Sequence, residues 1–358
     1  MSKKIKVLII GPSPTKSKGG MATVIEEIAK DQKLNKQFDI DIYESYIDGN
    51  KLKVLLFSAI SFIRFYFTKR NYDIYHIHAA SYGSTFRKGL YVKTAKRWGK
   101  KVILHIHGGG YMEFYSNSNQ KEEIIKILKK ADMVIALSEE WKQRFDETFG
   151  LENCVILENG VDTEGLKPAI TDFEEHPHTL VSLSRLVEGK GTYDLIKAIE
   201  QVKSIIPDVK CFLAGDGDIE KFKQIVQERK LQNNIIIIGW ADFNKKLELL
   251  KQSSILVLPS YNEGLPMSIL EGMACGKVII STTVGAIPEV VKSENGILIE
   301  PGDVTALSKA ITKCCTDKTY VEMISKNNVH KIENTYSMTR MHNKLMEYYL
   351  SAVEGKNT

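Results

Sequence analysis

The chain has 358 residues, 43% of them hydrophobic and 26% charged. At about 150 residues per domain this length suits two domains, each able to bury a core unaided, and the composition excludes collagen, coiled coil, disordered chain and disulfide scaffold. The 49 Lys and Arg against 44 Asp and Glu leave a formal charge of +5, too mild a balance for a nucleic-acid binder.

Short apolar runs predict strands over 5–10, 38–43, 74–78, 102–107, 133–137 and 154–157. Amphipathic stretches between them predict helices over 22–36, 52–69, 84–98, 121–130 and 139–149. Residues 159–178, with Gly160, Gly165, Pro168 and Pro177, lack periodicity and read as an interdomain connection. The alternation restarts with strands over 180–183, 210–213, 234–238, 255–258, 278–280 and 296–299. Helices follow over 193–205, 219–230, 245–252, 268–274 and 304–312, and a last helical period covers 338–350. Continuous Val/Ile/Leu strands separated by helices mean parallel sheets covered on both faces. The expected fold class is therefore α/β, two doubly wound Rossmann-like domains (1–165 and 166–336) with a cleft at the carboxyl ends of their strands.

Five cysteines without a C-x-x-C suit a reducing compartment and argue against structural zinc. The apolar run at 7–10 is too short for a signal-peptide core, and the one at 54–67 is shorter than the roughly 20 residues a bilayer requires. The expected location is cytoplasmic.

Candidate ligand contacts lie on loops after strand ends. The first loop ends in Gly19-Gly20 before a helix and has neither a G-x-G-x-x-G fingerprint nor a P-loop. Its glycines would let backbone N–H groups approach an anion, or serve only as turn residues. After the first strand of the second half, Arg185 and Lys190 flank a turn and could neutralise a diphosphate; such a pair is also common on solvated loops. The sharpest feature is Glu263-Gly264-Leu265-Pro266-Met267 leading into a helix that carries Glu271. Free N–H groups at that helix entrance suit an anion or sugar hydroxyls, and a carboxylate there can accept from a ribose diol. The alternatives are a dipole-stabilised helix acid at Glu271 and a solvated loop acid at Glu263. Asp216-Gly-Asp218 imitates a D-x-D metal motif but reads as turn acids. His76/His78 and His105/His107 pair at strand spacing, and no Cys or carboxylate joins them to make a zinc set.

Together these residues resemble the family 4 retaining glycosyltransferases with two Rossmann-like domains (GT-B type), such as those of bacterial polysaccharide biosynthesis. The marks are Gly19-Gly20, the 73–78 strand with its histidines, His105-Ile-His107-Gly-Gly, Asn159-Gly-Val-Asp162, Ser184-Arg185 with Lys190-Gly191, Gly215-Asp-Gly217, and the E-x7-E pair Glu263/Glu271. The resemblance implies a nucleotide-diphosphate sugar as donor, no metal or other cofactor, and transfer with retention. It implies that Arg185 and Lys190 hold the donor diphosphate while Glu271 binds the ribose. Glu263 and His107 would stand by the donor sugar, Gly264–Met267 would bind its hydroxyls, and Gly19 and Gly20 would close over the diphosphate. It further implies that the last helix, 337–355, packs back onto the first domain. The run Gly264-Leu265-Pro266 departs from the frequent aromatic-Gly and bears on sugar identity.

Residues 1–110 hold 20 basic against 8 acidic side chains, +12, leaving −7 for the remainder. The 52–70 stretch is greasy with basic ends, and Arg87, Lys88, Lys93, Lys96 and Arg97 follow on the next helix. These could be a helix packed on its sheet and a solvated basic helix, or a surface that meets anionic lipid. Enzymes of the kind resembled take polyprenyl-diphosphate-linked saccharide acceptors. A nucleotide-sugar 2-epimerase and a non-catalytic nucleotide-sugar binder are the competing readings.

Overall fold

The computed structural model describes residues 4–17, 19–108, 110–170 and 172–354. Two compact units emerge: one runs through Asn159 and includes the segment from Thr339 onward, and the other is Gly160–Met338. The second begins at Gly160 because Val161 pairs with Ser337, donating to the Tyr336 carbonyl and accepting from Met338 N–H.

In the first unit β1 (Ile5–Pro12), β2 (Phe38–Tyr46), β3 (Ile74–Ala79), β4 (Lys101–Ile106), β5 (Met133–Ala136) and β6 (Cys154–Ile156) form a parallel sheet in the order β2-β1-β3-β4-β5-β6. The second holds β7 (Thr179–Leu183), β8 (Lys210–Ala214), β9 (Ile235–Gly239), β10 (Ile255–Leu258), β11 (Val278–Thr282) and β12 (Gly296–Ile299), all parallel, ordered β12-β11-β10-β7-β8-β9. Every residue of β3, β5, β10 and β11 is buried, as double-sided coverage requires. Each sheet reverses its winding once, between β1 and β3 and between β7 and β10, and ligands of such sheets bind at the carboxyl ends of those strands.

The helix anticipated over 22–36 is two helices, Gly20–Lys30 and Gln32–Gln37. Asp31 breaks it by leaving the helical region, accepting from Leu34 N–H at 2.7 Å and pairing with His342 at 2.8 Å. The connection at 159–178 contains a short helix, Thr163–Leu166, capped by Asp162. Helix Met338–Glu354 docks on the first sheet: the Tyr349 hydroxyl lies 2.8 Å from His76 Nδ1, Tyr348 donates to the Ile156 carbonyl at 2.6 Å, and Lys344 pairs with Glu158 at 3.1 Å. All five cysteines are buried and unbridged. Among the described residues no helix is long and apolar enough to cross a membrane.

Candidate active site

The second unit's winding reversal gathers the loops after β7 and β10. Ser281 and Thr282 of β11 donate to the carbonyls of Leu258 and Ser260, both at 2.6 Å, and so fix where β10 ends. Gly191 stands at φ +68°, and a Cβ there would come within 2.0 Å of the Pro259 carbonyl oxygen, so only glycine lets the two loops touch. Tyr261 completes the joint, its N–H donating to Gly189 O (3.1 Å) and its hydroxyl to Asp194 (2.8 Å). Gly285 supports the far side, where a Cβ would meet the Glu263 carbonyl oxygen at 2.1 Å.

The scaffold brings Lys190 and Glu263 together in an ion pair of 2.6 Å, with the Ser260 hydroxyl donating to the same carboxylate oxygen at 2.9 Å. Glu263 is no solvated loop acid, since its side chain is only 11% exposed. Arg185 is ion-paired with Asp216 at 3.3 Å and its side chain is largely exposed. Asp216 thus answers a cation, and its carbonyl accepts from Leu186 N–H at 2.6 Å, which makes the D-x-D imitation a turn braced against the β7 loop.

Pro266 caps helix Met267–Ala274, and Leu265 is buried beneath it. Gly264 carries the Ala286 N–H on its carbonyl at 3.0 Å. Glu271 is 12% exposed and ion-paired with Lys246 of helix Phe243–Lys251. Nothing in the sequence ties a lysine 25 positions upstream to Glu271; Lys246 reads there as one more helix-surface cation.

The first unit's winding reversal holds a cavity of ≈ 620 Å³, whose lining includes Gly19, Gly20, Ser17, Ser81, Arg87 and Lys88. Lys88, expected on a solvated basic helix, is 3% exposed, and burial reinforced by Arg87 pushes its pKa down to about 7. Its helix presents no continuous basic face: Lys93 is paired with Glu123 and Lys96 with Asp132.

Strands β3 and β4, with the residue that follows β4, align four imidazoles. His76 Nε2 lies 3.3 Å from His105 Nδ1, and His78 Nδ1 lies 2.8 Å from His107 Nε2. Burial holds His76 and His107 at about 3 and the other two well below the usual range, so all four are neutral near pH 7. His76, His78 and His105 could offer nitrogens within 4.8 Å of one another, yet ring–ring and ring–Tyr349 hydrogen bonds already occupy several of them.

Known proteins place this arrangement. Residues 165–331 match the family described as Glycosyl transferases group 1, and residues 30–165 match Glycosyltransferase Family 4. The chain belongs to the family 4 glycosyltransferases. This glycosyltransferase is 27% identical over 372 residues to an uncharacterized glycosyltransferase of Methanocaldococcus jannaschii, covering 92% of each chain. It is 26% identical over 314 residues to the UDP-Gal:alpha-D-GlcNAc-diphosphoundecaprenol alpha-1,3-galactosyltransferase of Escherichia coli, covering 80% of this chain and 78% of that one. Its GT-B fold is shared with sucrose-phosphate synthase from Thermosynechococcus elongatus (TM-score 0.81, 17% identity, 99% of this chain and 100% of that one). It is shared too with Anabaena Alr3699/HepE in complex with UDP-glucose (TM-score 0.76, 19% identity, 97% and 100%).

Proposed function

We propose that this glycosyltransferase moves a hexose or N-acetylhexosamine, with retention, from a nucleotide-diphosphate sugar (a UDP-sugar before a GDP-sugar) to a saccharide hydroxyl on a polyprenyl-diphosphate-linked acceptor in cell-surface polysaccharide synthesis. The Lys190–Glu263 pair carries the reading, a shielded cation and carboxylate at the winding reversal of the second sheet. As the anomeric carbon–oxygen bond breaks, negative charge grows on the departing diphosphate, and Lys190 with Arg185 offsets it without a metal. The acceptor hydroxyl bonds to the anomeric carbon from the same face and gives its proton to the departing phosphate oxygen. Glu271 takes the ribose hydroxyls, Gly264–Met267 and Glu263 the sugar, while Gly19, Gly20 and His107 act from the first unit. The names of the Escherichia coli relative and of the Anabaena complex support a UDP-sugar donor.

The first unit supports a membrane-held acceptor. Helix Lys51–Thr68 buries only Ser61 and Phe65, and exposes Leu52, Leu56, Ile60, Ile63 and Phe67, spaced three or four apart along one stripe. Basic residues bracket the stripe, an arrangement that lies on anionic lipid from the cytoplasmic side. A thermal-shift panel of UDP, GDP and their sugars selects the donor, and proton NMR of the product reads the anomeric configuration. An inverted product would sink the retaining mechanism, and turnover of the donor without acceptor into an epimer would sink transfer itself.

A further inference from the structure

The imidazoles of His76, His78, His105 and His107 are joined in a way that fixes where their protons sit. A neutral ring carries one N–H and one bare nitrogen, and the partner of one nitrogen decides the state of the other. His76 and His105 lie within 3° of parallel with centroids 5.4 Å apart, and His78 and His107 within 15° at 5.0 Å. With nitrogens at 3.3 Å and 2.8 Å, these are rings bonded edge to edge in one plane, not stacked faces. His78 and His105 are buried, and Nε2 of each has no partner among the described residues. A buried N–H without an acceptor is rarer than an acceptor left unused, so both rings carry their proton on Nδ1. His105 then donates to His76 Nε2, and His76 in turn donates from Nδ1 to the Tyr349 hydroxyl oxygen at 2.8 Å. By the same rule His78 Nδ1–H donates to His107 Nε2. Both chains run the same way, and all four rings take the Nδ1–H form that histidine favours less in water.

The consequence falls on His107, the one ring of the four that is partly exposed. Its backbone prolongs β4, its N–H donating to the Ala79 carbonyl at 2.8 Å, and His78 occupies the ring's bare nitrogen. Only Nδ1–H is left for it to offer. We infer that His78 is a positioning residue that fixes His107 as a hydrogen-bond donor and bars it from acting as a base. A neutral N–H donor suits a sugar hydroxyl or ring oxygen. It cannot take the acceptor's proton, because the ring's single lone pair is spent on His78. The assignment rests on the proposed place of His107 by the donor sugar, and it agrees with a proton that passes to the departing phosphate oxygen.

The test begins with NMR on the full chain carrying isotope-labelled histidine, where two-bond nitrogen–proton correlations read each ring's tautomer without any ligand. His107→Gln identifies the signals of His107. The unmodified protein is expected to show His107 protonated on Nδ1 and bare on Nε2. A proton on Nε2 instead overturns the assignment, whatever reaction the protein catalyses. Titrations with UDP, UDP-glucose, UDP-galactose and UDP-N-acetylglucosamine then read the consequence. His78→Leu, which removes the donor, is expected to weaken the best-bound sugar nucleotide by ~10-fold, the scale of one hydrogen bond, and to leave UDP unchanged. His78→Asn, whose amide can replace Nδ1–H, is expected to restore most of that loss together with the Nδ1–H form of His107. A failure of His78→Asn to restore either one overturns the positioning role. If the tautomer holds while His78→Leu leaves every sugar nucleotide unaffected, the place of His107 at the sugar is overturned, a failure that the NMR result keeps separate from the first.

Discussion

Lys190 and Glu263 stand 73 positions apart in the chain, and their side chains meet at 2.6 Å. If Lys190 holds the donor diphosphate as proposed, the carboxylate competes with it for the same ammonium. Glu263→Gln is expected to tighten UDP binding several-fold while transfer falls by ~100-fold or more, and Lys190→Met to weaken both. Titration calorimetry alongside initial rates separates the two effects. Weaker UDP binding in Glu263→Gln would show that the pair acts as one nucleotide-binding unit.

Glu271 is held by Lys246, so the ribose would be offered a carboxylate already fixed in direction. Glu271→Gln is expected to lose ~10- to 100-fold in nucleotide affinity with the melting temperature little changed. Lys246→Met should cost less affinity but more stability, since it strands a shielded carboxylate. Paired thermal melts and UDP titrations on both variants check the split.

Gly191 is the joint between the loops after β7 and β10. Gly191→Ala is expected to destabilise the second unit by about 2–4 kcal/mol, combining left-handed backbone cost with collision against Pro259. Urea denaturation measures it. A loss below about 0.5 kcal/mol would mean that the loops part readily.

The four clustered histidines of the first unit make acid a specific stress. Their folded pKa values lie below the ordinary 6.5, with His76 and His107 at about 3. Between those limits the unfolded chain binds more protons than the folded one, so stability is whole above 6.5 and drains as pH falls toward 3. The slope is about 1.4 kcal/mol per pH unit for each histidine that protonates only on unfolding. Urea midpoints at pH 7 and 5 should differ accordingly, and a flat profile would place the rings in water. Chelator is expected to leave melting temperature and activity unchanged.

The inner strands were legible because strands buried on both faces are spelled mostly as Val, Ile and Leu, whereas the edge strand β2 shows as an alternation of buried and exposed residues. Glu263 and Glu271 were legible because loop and helix entrance lie within a few residues of each other. Partners supplied from far along the chain were not: Lys246 for Glu271, Asp216 for Arg185, Tyr349 for His76. Lys88 was misread for the same reason. A lysine inside a basic helical run spells a wet surface, and only the packing of Ser45 and Tyr91 around it makes it an interior residue. The break at Asp31 likewise depends on His342.

The return of helix Met338–Glu354 to the first sheet makes that unit discontinuous in the chain. On the ribosome, β1 to β6 emerge long before Tyr348, Tyr349 and His342 exist to cover them. The whole of Gly160–Met338 must be synthesised in between, so the unit begun first is completed last. Until then His76 lacks its hydroxyl partner and β6 its covering tyrosine. Loss of the closing helix would leave a nascent sheet with an uncovered edge, a natural target for chaperones and proteases.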